Sequence, residues 1–431
     1  TIVGFEKKGK DTYALIDTSD VHTLMIAAAG TGKTTFFLEP NIEYCCAAGM
    51  SFISTDTKGD IYRNCGYVAA KRYGYKISVI DLRNPLKSDG FNLLHLVKKY
   101  MDEHKNNPLN ISAKAKSERY AKIVADSIIA ADGDKYGANT YFYDAAKGLI
   151  AALILIIAEY GNDKECHIVS VLKLMIELLE AKPQKKSQLK SETYFADLIK
   201  LLPPEHKARW LSGAAINNAD QAALSVISTA LSRLNSLIDT ETEQILCFNT
   251  AIDTETLCKE KCAVFIVLPE EDRTKYVIAN LIIEQISREI YHIADENGGH
   301  LDKRIMIYFE EFGTMPPISG VEAMFSALRS RSVSIVAIIQ SFAQLEKNYG
   351  KQGAEIIVDN TQLMLFGGFA PGSSSAEKLS KDLGKQTILT GSISKGNGGK
   401  NSGHQSQQLQ MTGRELITAD ELKCLPKGTF I

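Results

Sequence analysis

A basic excess is what this sequence most plainly lacks. Its 431 residues carry 49 Lys and Arg against 51 Asp and Glu, a formal net charge of −2. That excludes a global positive footprint for nucleic acid and leaves only a local patch, or a lysine-lined pore in an oligomer. A cysteine framework is missing too. The eight cysteines, Cys45, Cys46, Cys65, Cys166, Cys247, Cys258, Cys262 and Cys424, are scattered along the chain. Only Cys258 and Cys262 approach metal-ligand spacing, and no second pair or nearby histidine pair completes a zinc site. They read as structural thiols, and their number without a framework suits a reducing compartment. A signal-peptide pattern is absent. The most apolar run, GLIAALILIIA from Gly148 to Ala158, is too short to span a bilayer and predicts a buried helix. Disorder is excluded by the 45% hydrophobic content and an ordinary share of aromatics. The chain opens at Thr1 without an initiator Met and closes on an apolar, strand-like GTFI. It reads as an excised piece, with a membrane anchor expected outside it.

What is present is an alternation that breaks off and resumes. HTLMI (His22 to Ile26), SFIST (Ser51 to Thr55) and KISVI (Lys76 to Ile80) read as short apolar strands separated by helices, one of them starting at about Lys33. This is the pattern of βαβ units and a parallel sheet buried on both faces. From about Leu96 the apolar positions recur at helical spacing instead, as at Tyr120, Ile123, Val124 and Ile128. The stretches around 141–160, 167–180, 205–215 and 219–237 predict further helices. Strands return at CAVFIVL (Cys262 to Leu268), RIMIYF (Arg304 to Phe309), SVSIVAII (Ser332 to Ile339) and QLMLFGG (Gln362 to Gly368), with an amphipathic helix from about Tyr276 to Asp295. Residues 390–413, rich in Gly, Ser, Asn and Gln, read as a mobile loop. The expected organisation is an α/β domain split into 1–95 and 262–431, with an all-α domain inserted over 96–261.

Chemistry enters at the turn after the first of these strands. Ala27-Ala28-Ala29-Gly30-Thr31-Gly32-Lys33-Thr34 follows the P-loop pattern G-x-x-x-x-G-K-[ST], with alanine in place of its first glycine. Residues Ala29 to Thr35 would bind nucleotide. Gly30 and Gly32 curl the backbone so that successive N–H groups face the phosphates, Lys33 reaches the β- and γ-phosphates, and the Thr34 hydroxyl ligates Mg²⁺. Alanine at 27 needs a negative φ or the loop is strained. Such a site also needs an acidic residue at a neighbouring strand end. RIMIYFEEFG supplies Glu310 for the Mg²⁺ shell and Glu311 to polarise the attacking water. Gln340, ending the next strand, is placed to contact the γ-phosphate or that water. Arg329 and Arg331 lie just before the same strand, where a guanidinium completing a neighbour's site would stabilise the transferring phosphoryl. The expected activity is ATP hydrolysis with Mg²⁺.

Together these motifs resemble the cytoplasmic ATPase domain of type IV secretion coupling proteins, over most of the chain and in the family's order of blocks. After the P-loop come FFLEPN (Phe36 to Asn41) and Asp56-Thr57-Lys58-Gly59-Asp60 for the pattern D-P-K-G-E. DLRNP and GFNLL (Phe91, Asn92) follow, then EEFGTMPPI. Arg329, Gln340, Ser341, Gln344 and Leu345 match the next block, Asp359-Asn360 with Leu383-Gly384 and Thr387 another, and Arg414 to Leu422 the last. The departures are Ala27, Thr57 for Pro, Asp60 for Glu and Glu310 for Asp; of these, Ala27 and Glu310 bear on hydrolysis rate more than on nucleotide binding. The resemblance implies a RecA-like fold with an inserted helical domain, and hexamers at the cytoplasmic face of the bacterial membrane, held there by an N-terminal anchor. A monomer is compatible with that expectation for this piece alone. Arg329 would act in trans and Gln340 would sense the nucleotide. Implied partners are a relaxase with single-stranded DNA, or protein effectors, and the secretion channel proteins. Two other readings are a nucleotide-regulated docking platform with little turnover and a double-stranded DNA translocase.

Overall fold

The computed structural model describes residues 1–130, 140–179, 194–213, 220–395 and 405–431. An antiparallel hairpin comes first, β1 (Ile2–Lys8) with β2 (Asp11–Ile16), turning at Gly9, whose φ is +65°. Both strands are largely exposed and lack the apolar alternation that would announce them in sequence.

The predicted strands then appear as β3 (Thr23–Ala27), β4 (Ser51–Asp56), β5 (Lys76–Asp81), β6 (Cys262–Val267), β7 (Ile305–Phe309), β8 (Val333–Ile339) and β9 (Leu363–Gly367). They form one seven-stranded sheet in the order β5-β6-β4-β7-β8-β3-β9, every pair parallel. Successive side chains alternate between two apolar layers, as period-2 geometry requires. Leu24 and Ile26, Ile305, Ile307 and Phe309, and Ile335, Ala337 and Ile339 face one layer. Met25 and Ala27, Met306 and Tyr308, and Val336 and Ile338 face the other, against Phe37, Leu38, Ile42 and Phe52. Continuous apolar runs in the sequence are thus the signature of a sheet covered on both sides.

Between β5 and β6 the described residues fold into helices. The longest are Ile111–Ala130, Thr140–Tyr160 and Asp220–Asn235. Residues 180, 214, 215 and 219 of the expected helices lie outside the described residues. Thr140–Tyr160 matches the helix expected around 141–160 and extends well beyond the apolar run from Gly148 to Ala158. Its 21 residues are long and apolar enough to cross a membrane, yet 67% of the most apolar window is buried within the fold. This helical segment shares the larger apolar layer with the sheet. Ion pairs also fasten it to the helix Tyr276–Glu296: Lys116 Nζ–Glu296 Oε2 at 2.7 Å and Arg288 Nη1–Asp126 Oδ2 at 3.0 Å.

One expectation is corrected. The stretch 390–413 is, where described, a hairpin of β10 (Lys385–Lys395) and β11 (Gln405–Glu415), paired in continuous register from Lys385↔Glu415 to Lys395↔Gln405. Backbone N–H and C=O groups make that ladder, so a polar, apolar-poor composition does not forbid it. Residues 396–404 lie outside the described residues.

His22 locks the start of β3 to β8: its Nδ1 accepts the Ile335 N–H at 3.0 Å with the ring fully buried. Burial, aided by the charge of Arg329, lowers its pKa from 6.5 to about 4. The unfolded chain therefore takes up this proton first as pH falls. The group's contribution is present above pH 6.5 and declines between 6.5 and 4, by up to about 3 kcal/mol. Denaturant unfolding at pH 7 and pH 4 should show a larger loss for the wild type than for His22→Gln, which keeps an acceptor but no titrating ring.

Candidate nucleotide-binding site

The strand ends that follow one another across the sheet, β4, β7, β8, β3 and β9, all point their C-termini at one edge. This is where parallel α/β sheets bind ligands. β3 delivers the P-loop there. Ala27 is fully buried in the strand and pairs with Gly367, so it takes ordinary strand backbone. Among the described residues only Ser332 carries a positive φ without being glycine. The strain expected at Ala27 is therefore absent, because the curl begins after it. Gly30 and Gly32 make the curl, with φ of +78° and +88°. Thr31 Oγ1 donates to the Ala28 carbonyl at 2.8 Å, and the Ala28 N–H to Gly368 at 3.0 Å. Among the described residues the N–H groups of Ala29, Gly30, Thr31 and Gly32 have no acceptor in the chain, which leaves four successive donors for an anion. A wide π-helical turn, Lys33–Leu38, follows and runs into the helix Glu39–Ala47. The C-terminal residues close over the loop: the Gly428 N–H donates to Thr31 O at 3.2 Å, and Ile431 exchanges two 2.8 Å backbone bonds with Phe366.

β7 delivers the acidic pair. Glu310 is 6% exposed, and both its oxygens accept hydrogen bonds. Oε1 takes the Thr34 hydroxyl at 3.2 Å; Oε2 takes the Thr57 N–H at 2.9 Å and its hydroxyl at 3.1 Å. Its own N–H is fixed by Thr55 Oγ1 at 3.0 Å. Burial raises the Glu310 pKa and the charge of nearby Asp56 adds to that, while the Thr57 and Thr34 donors oppose it. Asp56, also buried and also raised by burial, accepts the Gly59 N–H at 2.7 Å and the Tyr62 N–H at 2.9 Å, shaping the turn after β4.

Lys33 and Gln340 converge on Glu311. The buried Lys33 Nζ lies 3.6 Å from Glu311 Oε1 and 3.2 Å from Ala27 O, and Gln340 Nε2 donates to Glu311 Oε2 at 3.3 Å. Gln344, a motif position in the sequence, has a structural task here. Its Oε1 accepts the Gln340 N–H at 2.8 Å and sits where a Cβ on Gly313 would be, 2.2 Å away. Two predicted residues stand apart. Thr35 is exposed and lines a neighbouring groove with Glu39, Asn64 and Cys65. Arg329 lies in a 3₁₀ turn before β8, whose seven residues put it roughly 20 Å from Gln340. Beside the P-loop opens a cavity of about 920 Å³ bordered by Ala28 to Thr31, Gln340, Gly368 to Ser375 and Leu425 to Lys427.

A parallel sheet whose P-loop, acidic strand end and polar strand end meet at one edge defines a RecA-like P-loop α/β fold, here with a helical insertion. Residues 4–431 match the family described as "Type IV secretory system Conjugative DNA transfer", and the chain belongs to that family. It is 22% identical over 414 residues to the type IV secretion system-coupling protein VirD4 of Bartonella henselae, and 21% over 415 residues to that of Bartonella quintana. It spans 94% of its own length in each match but only 59% of theirs. Among solved structures it resembles the bacterial conjugative coupling protein TrwBdeltaN70 in complex with sulphate, with a TM-score of 0.64 at 14% identity over 95% of this chain and 81% of that one. TrwB in complex with ADP and Mg²⁺ gives a TM-score of 0.62 at 13% identity, over the same shares. At such identities the likeness is one of fold.

The two loop glycines separate strain from crowding. At Gly30 a Cβ meets nothing within 4 Å, so Gly30→Ala should cost only the left-handed backbone penalty, about 1–2 kcal/mol. At Gly32 it would fall 2.4 Å from the Phe36 ring, so thermal unfolding should show Gly32→Ala losing more than Gly30→Ala.

Proposed function

We propose that this chain is the cytoplasmic motor part of a type IV secretion coupling protein, which uses ATP to deliver relaxase-bound single-stranded DNA or protein effectors to a membrane channel. The observation that carries the reading is the convergence of Lys33, Thr34, Glu310, Glu311 and Gln340 at one sheet edge, the P-loop residues meeting acids 276 residues or more away in sequence. Family membership supports the biological setting, as do the coupling proteins it resembles.

The site's residues fit ATP and Mg²⁺. Four unengaged loop N–H groups and the Lys33 ammonium suit the phosphates, and the adjoining cavity is of ligand size. The Thr34 hydroxyl and Glu310 would hold Mg²⁺, which when bound neutralises charge on the β- and γ-phosphates. With nucleotide bound, Lys33 would move from Glu311 to the γ-phosphate, and the freed carboxylate, still gripped by Gln340, would take the proton of the water whose oxygen bonds to the γ-phosphorus as the bond to the β-phosphate oxygen breaks and ADP leaves. Gln340 thereby reports the nucleotide state to the loop after β8. Arg329, too far from its own chain's site, acts on a neighbour's across a hexameric ring. We further read 96–261 as the inserted domain that receives cargo, flanked by the two parts of the nucleotide domain, 1–95 and 262–431. The whole protein would sit on the cytoplasmic face of the bacterial membrane through an N-terminal anchor.

Steady-state ATPase measurements with a fluorescent-nucleotide binding assay test this. Glu311→Gln should retain Mg-ATP binding and lose about 10²–10⁴-fold in turnover, the scale of general-base catalysis. Lys33→Ala should lose binding itself. Wild-type turnover no faster than that of Lys33→Ala, with DNA present, would rule out the motor.

A further inference from the structure

Two of the positions where the chain departs from the pattern it resembles touch each other. Position 57 carries threonine where the pattern has proline, and position 310 carries glutamate where it has aspartate. In the fold, Glu310 Oε2 accepts both the N–H and the hydroxyl of Thr57, at 2.9 and 3.1 Å, while Oε1 faces the Thr34 hydroxyl. Proline offers neither donor. Thr57 is itself anchored on its other side. Its carbonyl accepts from Arg83 Nη2 at 2.9 Å, and Arg83 Nη1 donates to Lys58 O at 3.1 Å. The residue is 5% exposed, so water does not compete for these bonds.

We infer that Thr57 is a positioning residue for the metal-side carboxylate. It captures the outer oxygen of a side chain one methylene longer than the pattern's, so that the inner oxygen stays on the Thr34 hydroxyl. A glutamate has one more rotatable bond than an aspartate and, without a second anchor, spreads over several rotamers in this pocket. Two donors from one buried residue fix a single one. The two departures then compensate for each other: glutamate at 310 works because residue 57 donates, and proline at 57 would call for the shorter acid. Outer partners of this kind typically set metal affinity by about 10–100-fold.

The inference rests on the nucleotide reading above, and the test keeps the two separable. Four chains are compared: wild type, Thr57→Pro, Glu310→Asp and Thr57→Pro/Glu310→Asp, with Thr57→Val as a milder variant that keeps the N–H. The readout is the Mg²⁺ concentration giving half-maximal tightening of fluorescent-nucleotide binding, beside binding in EDTA. Thr57→Pro and Glu310→Asp should each need at least about 10-fold more Mg²⁺. Thr57→Val should lie between wild type and Thr57→Pro, and binding in EDTA should not change. The double variant should recover to within a few-fold of the wild type, a rescue that a merely structural role for Thr57 would not produce. Losses that add in the double variant, or an unchanged Mg²⁺ requirement in both Thr57→Pro and Thr57→Val, would overturn the inference. If the wild type bound no nucleotide at all, the proposed function would fall instead. The pair would then be judged by thermal unfolding of the same four chains, where additive shifts overturn the coupling and non-additive shifts uphold it.

Discussion

A single buried carboxylate ties the nucleotide edge together. Glu310 ends β7, the strand between β4 and β8, and its two oxygens reach segments 276 and 253 residues away in sequence. Burying an acid at a strand end is costly unless donors meet it, and here three do. The same burial raises its pKa, and Asp56 close by adds like charge. The geometry of β4, β7 and β3 thus follows from one requirement, that an acid be held out of water beside the loop that receives phosphate.

That requirement also explains how the sheet tolerates a long helical insertion. The insertion leaves the chain after β5 and returns at β6, which are edge and next-to-edge strands on the side of the sheet away from β3 and β9. None of the residues meeting at Glu310 or Glu311 belongs to it. Its apolar helices merge with the layer that covers one sheet face, and Lys116 and Arg288 add ion pairs to that seam. On the site's side of that seam, the Arg83 guanidinium holds the Thr57 and Lys58 carbonyls.

Much of this was legible in the sequence, because sheet strands covered on both faces and a glycine-rich anion loop leave strong local signals. All seven central strands lie within a residue or two of the apolar runs that predicted them; at their ends Lys33, Glu311 and Gln340 meet, and Glu310 meets Thr34. What stayed hidden had no local cause. β1 with β2 and β10 with β11 are hairpins held by backbone pairing, and where their side chains are described most are exposed, so no burial pattern marks them. The role of Thr57 depends on a partner 253 residues distant. Other motif letters turned out to be local scaffolding. Thr418 and Glu421, in the last block, form a capping box on the helix Ala419–Lys423, and Asn360 closes the helix Phe342–Asp359.

The two departures that seemed to threaten the chemistry are therefore unequal. Ala27 is a strand residue with an ordinary backbone, whose carbonyl accepts from Lys33; a methyl there disturbs nothing the loop needs. Glu310 changes the reach of an acid, and the fold answers with donors at 57. Arg329 poses a different problem. The chain gathers the phosphate donors, two acids and a glutamine at one edge, yet places its motif arginine at the far end of β8 beside His22. Phosphoryl transfer spreads negative charge, and a guanidinium is well shaped to share it. The chain carries that group at the opposite edge of its sheet from Lys33, Glu311 and Gln340.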